Sequence, residues 1–314
     1  MINFRYHVVS LTAVFLALAI GLVVGTAALN GPVADRLNDT VNGLGNQNKQ
    51  LRDKVSHMEE EVNRQEDFAV EAAPFLLAGT LTNRRVAIVS LPSAGDYVNG
   101  VVDMLGKAGA RVTAKVKITD KFTTPGNNVA LLDLAHDGAM PPSITDLPGN
   151  SDGVETSGAL LAAVLADRKS GSAVSAADRA VVLQAYKADG YITIDGQINE
   201  PAEAIIVISG DPDVDREAPK KNAASLTLVT QLDEATAVVL AGNGVSGTGN
   251  TVAEVRDDPA LSKTVSTTDN VNTAQGRIST VLALAEQLRP APDGTHRAGH
   301  YGISAETLMP KWPQ

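Results

Sequence analysis

The first thirty residues contain a long segment without charge. From Val8 to Leu29 none of 22 consecutive residues is charged, and Val, Leu, Ile and Ala predominate. As a helix rising about 1.5 Å per residue, this segment is long enough to cross a hydrocarbon core about 30 Å thick. Asn30-Gly31-Pro32 then marks a turn. The sequence therefore predicts a transmembrane anchor over residues 1–31.

The competing interpretation of this segment is a cleaved secretory signal. The apolar region of a signal is about 7–15 residues long, which is shorter than this run. Gly25-Thr26-Ala27-Ala28 could still serve as a cleavage site, so this alternative stays open. Arg5 lies before the run and most of the chain follows it, which favours a signal-anchor with its N-terminus in the cytoplasm. We expect a single-pass protein of the cell membrane with most of its chain extracytoplasmic.

A heptad pattern follows the apolar segment. Apolar residues or Asn recur at spacings of alternately four and three, which is the period of a left-handed coiled coil. Leu or Met at position d with Val at position a favours two parallel strands, and one Asn at a fixes the register. The predicted dimerisation residues are Leu37, Val41, Leu44, Asn48, Leu51, Val55, Met58 and Val62.

These features predict a parallel homodimer through a coiled coil over residues 32–73, with Pro74 ending the helix. The alternative is one amphipathic helix folded against its own domain. Gly43 and Gly45 weaken the first heptad, since each costs about 1 kcal/mol relative to Ala in a helix.

The rest of the chain is acidic and has the length of one sizeable domain. The net charge of −10 argues against nucleic acid as a partner, because a phosphate-binding surface needs clustered positive charge. The sequence has no cysteine, which excludes disulfides, thiolate metal sites and cysteine nucleophiles.

Short β-branched runs alternate with helical patterns from residue 85 onward, which predicts an α/β domain over residues 74–289. We expect a mostly parallel sheet with helices on both faces. Residues 120–157, rich in Pro and Gly, are expected to form irregular connections, and residues 290–314 a C-terminal tail. The predicted strands are 86–91, 112–118, 191–194, 204–209 and 238–241, and the predicted helices are 97–109, 160–168, 176–187 and 274–288.

One glycine motif resembles a nucleotide-binding loop. Gly242–Gly247 matches GxGxxG after a predicted strand, and Asp269 lies 22 residues further on. However, Thr248-Gly249-Asn250 prolongs the loop instead of opening a helix at once. A glycine-rich surface loop is therefore the preferred interpretation.

Two sets of residues could hold a metal. Asp133, His136, Asp137 and Met140 are close in sequence. His296 and His300 lie near the C-terminus, and imidazole is a good ligand for Cu(II). Copper is therefore the candidate metal for these two residues. Residues of these types are also common in loops that bind no metal, so this alternative interpretation applies to both sets. GxSxG, HExxH and P-loop motifs are absent from the sequence, so we expect no enzyme.

The N-terminal sequence from Met1 to Gly21 resembles the start of the mycobacterial copper transport protein B family. Three later stretches agree with the same family, at Ala108–Ala114, at Val265–Asp269 with Gly276–Ile278, and at Gly299–Gly302. The resemblance spans the chain and implies an actinobacterial cell-envelope protein associated with copper efflux. It also implies a link to cell division, through the regulation of a peptidoglycan hydrolase and a membrane partner.

The sequence and the resemblance together leave two functions open. The first is copper efflux and copper resistance at the envelope. The second is a non-enzymatic, dimeric coiled-coil adaptor that binds a membrane partner and regulates a peptidoglycan hydrolase during division. A single apolar helix cannot line a channel unless several chains assemble. The sequence pattern therefore favours the adaptor as the mechanism.

The coiled-coil assignment predicts the effect of one substitution. Asn48→Leu removes the polar residue that selects two strands, so higher oligomers should appear beside the dimer. Light scattering on the fragment 32–314 measures this directly. An unchanged mass would show that Asn48 does not occupy position a.

Overall fold

A computed structural model describes residues 4–29, 32–138, 140–144, 147–167, 173–198, 200–289 and 298–311, with only the backbone at 28–29 and 32–34. The chain divides into two compact units, Met1–Gln65 and Glu66–Gln314. The boundary between these units falls inside one long helix.

The N-terminal unit is helical throughout its described residues. Helix α1 spans Phe4–Leu29, and helix α2 begins at Pro32 and continues to Leu77 in the second unit. Within the described ranges, Phe4–Ala27 is the one helix that is long and apolar enough to cross a membrane. The length and composition expected of the anchor are therefore present in the structure.

The second unit contains a seven-stranded sheet. Its spatial order is β3-β2-β1-β4-β5-β6-β7, and each neighbouring pair is parallel except β2 with β3. The strands are β1 (Arg85–Ser90), β2 (Arg111–Ile118), β3 (Ile192–Ile194), β4 (Ala204–Ile208), β5 (Ala237–Ala241), β6 (Ser266–Thr268) and β7 (His300–Tyr301).

Within the described residues, eight further α-helices surround or connect the strands. They are α3 (Tyr97–Lys107), α4 (Asp120–Thr123), α5 (Asn128–Asp133), α6 (Gly153–Leu165), α7 (Ala176–Ala188), α8 (Ala218–Ala235), α9 (Thr251–Asp257) and α10 (Ala274–Gln287). A π-helical turn at Leu134–Gly138 follows α5.

The sheet separates two hydrophobic cores. Helices α6 to α9 contribute to the core on one face, whereas α3, α10 and the end of α2 contribute to the core on the other. The central strand β4 is buried along its whole length, as expected of a parallel strand covered on both faces. The prediction of an α/β fold with a mostly parallel sheet and helices on both faces is confirmed.

The last three turns of α2 belong to the second core. Ala69, Ala73 and Leu77 are buried at one-turn spacings, so one stripe of the helix packs on the domain. The carboxylate of Glu66 accepts hydrogen bonds from the backbone N–H of Ala274 at 2.7 and 2.9 Å, at the N-terminus of α10. An acidic group there stabilises the helix by charge and by capping.

The expectation that Pro74 ends the helix is wrong, because α2 continues to Leu77. Proline removes one backbone hydrogen bond, at a cost of about 3 kcal/mol in a helix interior. Pro74 is itself exposed, while its neighbours Ala73 and Leu77 are fully buried and anchor the turn on either side. The helix instead ends at Leu77, and Gly79 follows with a φ of +75°, the left-handed conformation common just after helix ends.

Several elements of the structure differ from the expectation. Residues 120–157 contain α4, α5 and the start of α6, and not only irregular connections. Helix α8 is absent from the prediction although it has 18 residues. Its buried face carries polar side chains, among them Asn222, Ser225 and Gln231, which interrupt the apolar period used to recognise a helix.

Candidate functional site

The predicted dimerisation residues lie on α2 within the N-terminal unit. All eight are exposed in the single chain, and the seven apolar ones expose between 53 and 65% of their surface. Exposed apolar residues along one stripe of a helix are typical of an interaction surface. We call these eight residues the heptad stripe.

The heptad stripe ends where α2 enters the second unit. The next position a after Val62 is Ala69, which is 6% exposed in the core beside α10. A residue covered by its own chain is not free to pack on a second helix. The stripe therefore offers no free position a after Val62.

His300, a predicted metal ligand, lies in the edge strand β7. Its Nδ1 is 2.9 Å from Oγ1 of Thr267, and its Nε2 is 3.0 Å from the carbonyl oxygen of Ser262. The carbonyl can only accept, so Nε2 carries the proton and Nδ1 accepts from the Thr267 hydroxyl. Both ring nitrogens thus hold β7 in place, and copper binding would require one of these bonds to break.

An arginine-carboxylate pair continues this network inward. Arg256 Nη1 is 2.9 Å from Oδ2 of Asp269, whose side chain is fully buried. Arg256 also donates to Oγ1 of Thr267 at 2.8 Å and to the carbonyl of Tyr301 at 2.9 Å. Asp269 accepts the backbone N–H groups of Ile303 and Ser304. We call Arg256, Thr267, Asp269 and His300 the tail clasp, because they fasten the C-terminal strand to the sheet.

A glycine is required where the tail clasp meets the chain after β7. Gly302 has φ of +120°, and a Cβ atom there would lie 2.1 Å from Oδ1 of Asp269. A larger residue would be strained in its backbone and would displace the carboxylate. The stretch Gly299–Gly302 therefore has a structural reason for its composition.

The other predicted metal ligands do not form a site. His296 lies outside the described residues. Asp133, His136, Asp137 and Met140 are all exposed, and His136 and Asp137 belong to the π-helical turn. Across the parts of the chain that the structure describes, no three His, Asp or Glu side chains are grouped closely enough to hold a metal ion.

The glycine motif lies in the loop between β5 and α9. The backbone N–H of Gly242 donates to the carbonyl of Thr268, and that of Gly244 donates to the carbonyl of Asp269. A dinucleotide loop needs such N–H groups for the pyrophosphate. Asn250 caps α9 by accepting from two backbone N–H groups. These contacts favour the interpretation of a structural loop.

The tail clasp and the Glu66 contact at α10 are not apparent in the sequence. Its pattern singles out Asp269 only by its distance from the glycine motif and gives no sign of Arg256. Several stretches that carry the family resemblance nevertheless lie at the tail clasp or at the Glu66 contact. Val265–Asp269 and Gly299–Gly302 pair in the sheet, and Arg277 lies 3.9 Å from the carboxylate of Glu66. The agreement of these stretches with one family pattern is the only sequence signal that could have indicated that they lie close together.

These observations define a class of protein with an apolar N-terminal helix, a long second helix with an exposed heptad stripe, and an α/β domain. A profile of the family described as "Copper transport outer membrane protein, MctB" matches residues 1–310, and the chain belongs to this family. It is 28% identical over 310 residues to "Copper transporter MctB" of Mycobacterium tuberculosis (strain H37Rv), covering 97% of this chain and 98% of that one. The protein of the same name from Mycobacterium leprae (strain TN) is 28% identical over 313 residues, with the same coverage.

The tail clasp predicts a pH dependence of stability. Burial lowers the pKa of His300, the carbonyl of Ser262 opposes this, and the charge of Arg256 adds to it. Protonation therefore favours the unfolded chain, in which the imidazole has its ordinary pKa of about 6.5. The contribution to the free energy of unfolding is present above that pH and is lost as the pH falls below it.

We expect the free energy of unfolding to fall between pH 7 and about 5.5, and to fall less in His300→Gln. Urea denaturation followed by circular dichroism at each pH measures this. His57→Gln, at an exposed position of α2, is the matched histidine control. Equal slopes for the wild type and His300→Gln would show that His300 is not the titrating group.

Proposed function

We propose that the protein serves copper export and copper tolerance at the cell envelope, as a membrane-anchored homodimer that acts through a protein partner. Its family and the names of its relatives indicate copper transport. Its α1 has the length and composition of a membrane span. The heptad stripe supports dimerisation and is the observation that carries the proposal.

Physical chemistry favours a pair over a single chain. Seven large apolar side chains remain more than half exposed along α2. Burying one such side chain contributes about 1.5–3 kcal/mol, so pairing of two stripes supplies a strong drive to associate. Asn48 within the stripe then selects a two-stranded, in-register arrangement.

The role of the chain in moving copper is then indirect. One apolar helix has no polar face to line a path for an ion, and the pair would contribute only two such helices. The sequence has five Met and no Cys, so the soft ligands that favour Cu(I) are scarce. A non-enzymatic scaffold that organises a transport partner fits these properties.

Complementation of a deletion strain tests the role of the stripe. We expect Leu44→Ser with Leu51→Ser to abolish dimerisation and to leave the strain as copper-sensitive as the deletion. The readouts are in-cell crosslinking, the minimal inhibitory copper concentration and cellular copper content by mass spectrometry.

A matched variant separates the stripe from general damage to α2. Asn46→Ser with Asp53→Ser changes two residues at position f, which faces away from the seam, and should restore copper tolerance. Full complementation by the Leu44 and Leu51 variant would contradict the proposal. So would a deletion strain of normal copper tolerance.

A second candidate function is an adaptor that binds a partner and regulates a peptidoglycan hydrolase during division. The observation that favours it is a pair of aromatic residues on α2 in the α/β unit. Phe68 is 73% exposed and Phe75 is 87% exposed. They are seven residues apart and so share one side of the helix. Exposed aromatic side chains of this kind are common anchors of protein interfaces.

The adaptor function predicts a division phenotype. Phe68→Ser with Phe75→Ser should leave the melting temperature within a few degrees of the wild type, since neither ring is buried. It should nevertheless fail to correct unseparated cells in a deletion strain, as counted by microscopy. Val129→Ser, at another exposed apolar position, is the control. Normal cell separation in the deletion strain would contradict this function.

A further inference from the structure

A shallow groove opens at the carboxyl ends of β1 and β2. It has a volume of about 210 Å³ and crosses three neighbouring strands. Ser90 of β1 is paired in register with Lys117 of β2, which is paired with Thr193 of β3. These three side chains therefore form one row across the sheet, and all three line the groove.

Ser90 is the least expected member of this row. The residue is only 5% exposed. Its hydroxyl has no hydrogen-bond partner among the described residues, and it faces the groove. The hydroxyl oxygen itself still reaches the solvent of the groove. It is therefore available to bond a ligand there.

The groove is locally positive in a protein of net charge −10. Lys115 and Lys117 both line it, and Asp195 contributes the opposing charge. Asp195 is already paired with Lys115. Lys117 is exposed and has no ion pair within the described part of the chain. The two lysines and one aspartate that line the groove have a net charge of +1. The unpaired lysine is Lys117, which lies next to Ser90.

The N-terminus of α3 borders the same groove. Gly95 and Val98 line it, and they flank the first helical residue, Tyr97. Asp96 occupies the N-cap position, but its side chain makes no capping hydrogen bond. The unpaired N–H groups of a first helical turn attract anions. In doubly wound sheets, the helix after the first strand commonly receives a phosphate at this point.

We propose that this groove binds a phosphate group, as free phosphate or as the end of a phosphomonoester. Lys117 supplies the charge, the hydroxyl groups of Ser90 and Thr193 donate hydrogen bonds, and the first turn of α3 contributes its N–H groups. Pockets that bury a drug-sized ligand have about 300–1,000 Å³. The smaller volume here suits a single phosphate group and leaves the remainder of a larger ligand in solvent.

The crevice next to this groove, at the switch between β1 and β4, is already filled. The backbone N–H of Gly210, after β4, donates to Oγ of Ser93, and a Cβ atom at Gly210 would lie 1.8 Å from the carbonyl oxygen of Ser93. The loop after β1 is thus fastened to the loop after β4. The phosphate site is therefore placed beside the switch point, over β1 to β3.

Calorimetric titration of the full-length protein in detergent with inorganic phosphate tests the proposal. In a chloride buffer we expect one saturable site per chain, with an affinity that falls as salt is added. Lys117→Gln should weaken binding at least tenfold. Lys263→Gln removes the charge of another exposed lysine and should leave binding unchanged.

A second variant keeps every charge. Ser90→Ala should also weaken binding about tenfold, and it should not lower the melting temperature, since the hydroxyl has no partner to lose. Glycerol 3-phosphate distinguishes the two ligand sources: equal affinity indicates a phosphomonoester end, and binding of inorganic phosphate alone indicates the free ion. No saturable binding, or equal affinity in Lys117→Gln and Lys263→Gln, would overturn the proposal.

Discussion

Burial of the last three turns of α2 is the contact on which the rest of this architecture depends. Glu66 caps α10, and Ala69, Ala73 and Leu77 fill the core beside it. Because the same helix carries the heptad stripe, the exposed residues of the stripe and the buried residues of the core share one continuous helix. Small side chains at positions 69 and 73 allow the close approach of α2, and their burial allows a helix interior to include Pro74.

Several polar groups inside the α/β domain bond to other groups of the same chain and so stabilise the fold. The switch point between β1 and β4 is closed by Ser93 against Gly210. In the glycine loop after β5, the N–H groups of Gly242 and Gly244 bond to carbonyls of the chain. Polar side chains in the core, such as Thr267 and Asp269, are paired with Arg256. Breaking such a buried pair costs about 3–5 kcal/mol, so these residues hold the C-terminal strand firmly. The binding surfaces that we propose are the heptad stripe, the two exposed aromatic rings and the groove at Ser90.

Much of the fold could be predicted from the sequence where local pattern and burial agree. Strands β1, β4 and β5 are mainly apolar runs that are largely buried, whereas β2 alternates buried and more exposed residues. Helices α7 and α10 lie within a residue of their expected bounds. Prediction failed where buried residues are polar. Strand β6 reads Ser-Thr-Thr and is completely buried, because each hydroxyl finds a partner on another element. Those partners are distant in sequence, so a local pattern cannot reveal them.

The sequence by itself determined the apolar anchor segment, the heptad period, the α/β alternation and the absence of cysteine chemistry. Each of these depends on residues that are neighbours in the chain, which is why periodicity and composition reveal them. Only the tertiary structure decided that His300 holds a strand with both ring nitrogens, that Asp269 pairs with Arg256, and that Ser90, Lys117 and Thr193 form one row. These sites join residues as far apart as 103 positions, and strand register is what brings them together.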